Sequence, residues 1–175
     1  GLLVIDMQVG LFEGESPRHD ADGVVSRINV LARAVRARGG SVVLVQHEDD
    51  EAYAHGSREW QLLPTLDRCP EDLKVRKTAC DSFYRSDLDK VLRGRGIDRL
   101  LVTGCATDSC VDTTIRSAAS KDYEVVVVAD GHTTKDRSHL KAEAIIAHHN
   151  WMWANLILPA RPVKVVPTSE VLGAL

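Results

Sequence analysis

Aromatic residues are scarce: two Phe, three Trp and three Tyr in 175 residues, so any core must be built mainly from aliphatic side chains. Basic charge is not in excess either. Lys and Arg number 22 against 25 Asp and Glu, a formal net charge of −3, which excludes the electrostatic footprint of a nucleic-acid binder. No run of like charges suggests a tail, and no apolar run approaches the ~20 residues that cross a bilayer. No cationic leader precedes the first strand, so a cytoplasmic location with reduced thiols is the expectation. The four cysteines, Cys69, Cys80, Cys105 and Cys110, contain no CxxC pair, which argues against structural zinc. The first strand-to-helix turn lacks GxGxxG, which removes a dinucleotide-binding reading.

What is present is an alternation of apolar strands with amphipathic helices. Leu2–Ile5, residues 41–46, Leu73–Lys77, and residues 100–102, 125–128 and 163–166 read as short, fully buried strands. A helix capped by Asp20 or Asp22 carries Val24, Val25, Ile28, Leu31, Ala32 and Val35 on one stripe and closes at Gly39-Gly40. Asp87 opens a second helix with Leu88, Val91 and Leu92. Two more are expected over 108–121 and over 138–154, the last burying Leu140, Ala144, Ile145 and Ile146. Residues 7–19 and 47–71 read as loops, with a helical turn expected near 57–63. Without repeats or linkers, the chain is expected to be one domain over 1–175. The order implies a three-layer, Rossmann-like, doubly wound open sheet of about six parallel strands with helices on both faces.

Such sheets carry their sites at the carboxyl ends of strands, near the switch in strand order. Three reactive side chains converge there. Asp6 closes the row Leu2, Val4, Asp6; Lys77 closes the row Leu73, Val75, Lys77; and Cys110 follows the strand at 100–102 in the first turn of a helix, after the capping types Thr107, Asp108 and Ser109. A thiol at a helix start is biased toward thiolate, although a free cysteine alone is commonly a small core residue. Together the three suffice for nucleophilic acyl transfer: Asp6 as proton carrier, Lys77 as its charge partner, and the Cys110 N–H with a turn N–H near Ala106 as oxyanion donors.

The stretches Leu3-Val-Ile-Asp-Met-Gln8 with Phe12, Lys77 with Asp81-Ser-Phe83, Gly104-Cys-Ala-Thr-Asp-Ser-Cys110-Val, Asp112-Thr-Thr and Gly131-His-Thr-Thr resemble the isochorismatase-like cysteine hydrolases in order and spacing. This family includes nicotinamidases and N-carbamoylsarcosine amidase. The resemblance implies an Asp6–Lys77–Cys110 triad, a cis peptide between Cys105 and Ala106, an oxyanion hole from Ala106 and Cys110, and a pocket lined by Gln8, Phe12, Phe83, Trp60 and Tyr84. It implies an amide-cleaving hydrolase working through a thioester, with isochorismatase-type vinyl ether hydrolysis as the alternative. It also implies a small-molecule substrate, a homo-oligomer (dimer or tetramer), and no nucleic-acid or membrane partner. Metal-containing nicotinamidases carry Asp-x-His where this chain has Gln46-His-Glu-Asp49; His47, Asp49 and His55 are therefore the candidate metal ligands, and no cofactor is expected. Asp122-Tyr123 stands where relatives usually have Gly-Tyr. Two other classes compete. One is a magnesium-dependent phosphatase with Asp6 as nucleophile and Thr103, Lys77, Asp130 and Asp136 as later stations, although Gln8 occupies the place of its second carboxylate. The other is a non-catalytic scaffold. The helical His148-His-Asn150 stretch is expected to serve capping, packing or interface contacts, and His132, after the fifth strand, is a candidate for a structural hydrogen bond at the site edge.

Overall fold

A computed structural model describes residues 1–14 and 16–175. Six parallel strands form one sheet: β1 (Leu2–Ile5), β2 (Val42–His47), β3 (Leu73–Lys77), β4 (Arg99–Cys105), β5 (Glu124–Thr133) and β6 (Lys164–Val166), in the order β3-β2-β1-β4-β5-β6. The direction of winding reverses between β1 and β4, which pair from Leu2↔Leu101 to Ile5↔Gly104. A crevice therefore opens at the carboxyl ends of these two strands.

The helices are α1 (Val9–Phe12), α2 (Ala21–Ala37), α3 (Leu88–Gly94), α4 (Asp112–Ser120), α5 (Ala142–Ala154) and α6 (Thr168–Ala174). Alternate strand residues divide into two apolar layers. Leu3, Ile5, Val43, Val45, Val102, Val125 and Val127 meet α3, α4 and Trp153 of α5. Leu2, Val4, Val42, Leu44, Leu101, Val126 and Val128 meet the stripe of α2 and Val171 of α6. Both faces are covered, as continuous apolar strands require.

Several boundaries differ from the sequence reading. α5 begins at Ala142 rather than 138, because the Asp136 carboxylate accepts the Ala142 N–H (2.9 Å) and the Lys141 ammonium (2.6 Å) and so starts the helix late. Its buried residues are Ala142, Ile145 and Trp153, whereas Leu140 and Ala144 are exposed. Asp20 precedes α2 in a left-handed conformation (φ 48°), and its side chain pairs with Arg27 instead of capping the helix. Asp130 lies inside the long β5, and its carboxylate accepts the Thr168 N–H and hydroxyl (2.8 and 2.7 Å) at the start of α6. Residues 57–63 form turns rather than a helix, while α1 occupies part of the expected 7–19 loop.

Gly104 is where β4 comes nearest β1. Its φ is +124°, and a Cβ at this position would lie 2.1 Å from the Ile5 carbonyl oxygen. No side chain fits without prising the two central strands apart. Gly104→Ala is expected to lower the unfolding free energy by about 3 kcal/mol or more in urea titration; unchanged stability would show that the strands can move apart freely.

Candidate active site

Strict alternation would place Asp6 with Leu2 and Val4, on the face opposite Val75 and Lys77. The backbone at Asp6 is left-handed instead (φ 49°), a conformation Asp tolerates better than most residues. The alternation breaks there, and the carboxylate meets Lys77. The Lys77 Nζ lies 2.7 Å from Asp6 Oδ2, donates to the Ala79 carbonyl at 2.9 Å, and donates to Cys110 Sγ at 3.3 Å. Of the three ammonium protons, those to Ala79 and Cys110 make hydrogen bonds, and Asp6 answers the charge as an ion-pair partner. Asp6 and Lys77 are buried, Cys110 half-buried.

The Asp6–Lys77 contact is short but poorly aligned, so among the described residues neither Asp6 oxygen has a hydrogen-bond partner of good geometry. The carboxylate thus retains acceptor capacity toward the crevice. Burial pushes the Asp6 carboxyl above its ordinary range, with the Lys77 charge pulling against it. Burial also acts to lower the Lys77 ammonium, but the charges of Asp6 and Cys110 prevail and raise it. Burial, and then the Asp6 charge, push the Cys110 thiol up to about 12 despite the opposing Lys77. The physical picture is one cation facing a single negative charge. Sending a proton from this cluster to solvent would leave two anions against one ammonium. Passing it from Cys110 to Asp6 leaves the net charge unchanged.

Cys110 sits in a kinked turn, Thr107–Val111, ahead of α4, in which Asp108 leaves the helical conformation (φ −88°, ψ 16°); it is not in the first turn of a regular helix, which the spacing predicts. The expected capping side chains are engaged elsewhere. Thr107 Oγ1 lies 2.9 Å from His132 Nδ1, and Asp108 accepts Thr134 Oγ1 at 2.6 Å and the Arg137 Nε at 2.8 Å. The Cys105–Ala106 peptide is cis. The Ala106 carbonyl accepts the Ser109 and Val111 N–H groups (3.0 and 3.1 Å), closing the turn on itself. Among the described residues, no acceptor engages the Ala106 N–H.

With this geometry in place, likeness to known proteins is informative. The chain matches the Isochorismatase domain model over residues 1–157. It belongs to the isochorismatase family. It is 30% identical to the isochorismatase family protein YecD of Escherichia coli O157:H7 over 99% of this chain and 95% of that one. It is 31% identical to streptothricin hydrolase of Streptomyces noursei over 77% of this chain and 54% of that one. A solved isochorismatase family protein superposes with a TM-score of 0.87 at 33% identity, covering 94% of this chain and 96% of the other; one from Burkholderia thailandensis gives 0.79 at 30%, covering 99% and 94%. The chain is accordingly a hydrolase of this family.

The residues expected to wall the pocket of this isochorismatase-family hydrolase are dispersed. Gln8 is wholly buried and acts as a latch: its amide accepts the His47 N–H and donates to the His47 and Trp60 carbonyls, each bond 2.8 to 2.9 Å. Phe83 is a core residue stacked against Tyr123 at 5.6 Å. Phe12 packs half-buried on the α2 side, and Tyr84 is half exposed beside Arg85. Trp60 lines a cleft of about 520 Å³ along the open edge of β3, together with His55, Gln46, Lys74 and Lys77. His47 Nε2 is 3.9 Å from Asp49, whose carboxylate is held by the Glu51 and Tyr53 N–H groups, while His55 stacks on Trp60 at 4.6 Å. Among the described residues, no group of three or more His, Cys, Asp or Glu side chains is arranged to hold a metal ion. Of the stations of the phosphatase reading, Lys77 meets Asp6, whereas Thr103 donates to the Leu3 carbonyl (2.9 Å) and Asp130 and Asp136 serve α6 and α5.

His132, Asn150, Trp153 and the Asp108–Arg137 pair hold the turn that carries Cys110; the sequence offers His132 for a structural hydrogen bond at the site edge and gives Asn150, Trp153 and Arg137 no part there. Only the polar Gly-His-Thr-Thr run inside an apolar strand hinted at it. His132 is buried, and burial lowers its pKa to about 4 from the ordinary 6.5. Between those values the unfolded chain binds the proton and the folded chain does not, so stability declines as pH falls through this window. The loss should approach ~3 kcal/mol near pH 4. Unfolding measured across about pH 7 to 4 should show it in the wild type and not in His132→Asn; identical slopes would mean that His132 takes up its proton without penalty.

Proposed function

We propose that this protein cleaves a small-molecule amide through a thioester on Cys110, with Asp6 carrying the proton and Lys77 holding the charge. The observation that carries this reading is the Lys77 ammonium, placed 2.7 Å from Asp6 and 3.3 Å from Cys110. Cys110 Sγ passes its proton to Asp6 and attacks the carbonyl carbon. The sulfur–carbon bond forms, and the carbonyl π pair moves onto oxygen, facing the Ala106 and Cys110 N–H groups. As the tetrahedral species collapses, Asp6 returns the proton to the leaving nitrogen and the carbon–nitrogen bond breaks. Water then gives a proton to Asp6 and attacks the thioester; the acid leaves, and Cys110 recovers its proton. Lys77 stays cationic throughout, so one negative charge moves among sulfur, carboxylate and oxyanion beside a fixed positive one.

The relatives lend support at the level of reaction class. One is named streptothricin hydrolase. Another, 32% identical over 61% of this chain and 56% of its own length, is the ureidoacrylate amidohydrolase RutB of Pseudomonas syringae. The chain spans little more than half of each, so their substrates are not transferred.

Amine or ammonia release from a panel of carboxamides and ureides, with intact-protein mass measurement, tests the reading. A covalent acyl adduct on Cys110 is expected in the wild type. Cys110→Ala and Asp6→Asn should each lower turnover by about 10³-fold or more. The acid limb of turnover should fall above the ordinary carboxylate value, because burial raises Asp6. Undiminished release by Cys110→Ala would overturn the assignment.

A further inference from the structure

We propose that His132 is a positioning residue for acyl transfer: held as a neutral imidazole protonated on Nε2, it accepts the Thr107 hydroxyl and fixes the turn so that the Ala106 N–H faces the developing oxyanion. The inference rests on the thiol-hydrolase reading and extends it to a residue outside the triad.

Donors and acceptors follow from one fixed point. Asn150 Nδ2 is 2.9 Å from the Ala129 carbonyl oxygen, which can only accept, so the NH2 side of the amide must face it. Asn150 Oδ1 therefore faces His132 Nε2, at 3.0 Å, and that nitrogen must carry the hydrogen. In a neutral ring Nδ1 is then an acceptor, so the hydrogen in the 2.9 Å contact with Thr107 Oγ1 comes from the threonine. The relay runs in one direction: Thr107 hydroxyl to His132, His132 to Asn150, Asn150 to the backbone of β5.

Its place in the fold gives the relay a purpose. Thr107 adjoins Ala106 and lies three residues before Cys110. The interior of the turn is closed on the Ala106 carbonyl, so its attitude relative to the sheet depends on what grips it from outside. Asp108 is gripped on the half-exposed side by Thr134 and Arg137. Thr107 is gripped on the buried side by His132, which is 1% exposed and edge-on to Trp153 at 5.1 Å. Trp153 Nε1 in turn donates to Asp112, the first residue of α4, at 2.8 Å. α5 thus holds the nucleophile turn and the helix after it through separate bonds. An apolar side chain would fill the His132 site without desolvating an imidazole; the ring adds an acceptor aimed at Thr107 and at nothing else among the described residues.

Two reactions of the same thiol separate positioning from packing. Alkylation by iodoacetamide develops no oxyanion, whereas acylation by p-nitrophenyl acetate does. Full-length wild type, Thr107→Val, His132→Phe and His132→Asn are compared, with Cys110 modification followed by peptide mass spectrometry. Thr107→Val and His132→Phe should slow acylation roughly 10- to 100-fold while alkylation changes little. His132→Asn, which keeps an acceptor near the Nδ1 position, should recover part of the loss. Thr107→Val is close to isosteric, so the comparison survives if His132→Phe does not fold. Acylation and alkylation falling together, or neither falling, would overturn the positioning role while leaving Cys110 as nucleophile. A wild type that is not acylated on Cys110, with p-nitrophenyl acetate hydrolysis intact in Cys110→Ala, would overturn the underlying thiol reading as well.

Discussion

A buried ammonium must have all of its protons and its charge answered, and this requirement at Lys77 ties the site together. One partner comes from the end of β1, one from the loop after β3, and one from the turn after β4. Each partner belongs to a different part of the sheet, so the ammonium is compensated only when β1, β3 and β4 are in register. Removing any one of them leaves a charge with incomplete compensation in a low-dielectric place, where uncompensated charges cost far more than at a surface. The same constraint sets the chemistry. In the proposed mechanism, one cation opposite one mobile negative charge favours proton exchange between thiol and carboxylate over proton loss to solvent.

The doubly wound sheet supplies the geometry for this arrangement. Winding reverses between β1 and β4, leaving a crevice in which the first helix after β1 and the turn after β4 diverge. Gly104 lets the two strands approach to within backbone contact, and the left-handed Asp6 turns its carboxylate out of the strand's alternation toward Lys77. Behind the crevice, α5 braces the turn that carries Cys110 through Asn150 and His132 and braces α4 through Trp153. Rigid elements hold the reacting groups, and the pocket-forming segments lie on the loops around them.

The six strands and the parallel order were readable because each strand is a short apolar run that only a doubly covered sheet can bury. The convergence of Asp6, Lys77 and Cys110 was readable because each closes or follows such a run at the same edge. Other features depended on side-chain commitments that periodicity does not encode. α5 starts at Ala142 rather than at residue 138, since the Asp136 carboxylate six residues upstream accepts its first N–H. Thr107 and Asp108 looked like helix caps and instead grip the strand-β5 side of the site. Phe83 packs in the core and Gln8 holds the His47 backbone, commitments that the composition of a loop does not reveal.

The ionisation of Cys110 in the resting protein tests the central claim most directly, followed as ultraviolet thiolate absorbance against pH in the wild type, with Cys110→Ala subtracted. Burial and the Asp6 carboxylate should keep this thiol protonated through neutrality, ionising only toward about 12. Asp6→Asn should move the step to lower pH, since the carboxylate charge suppresses the free thiolate. A thiolate already formed at neutral pH, or a step that Asp6→Asn leaves in place, would contradict a single negative charge shared across Lys77.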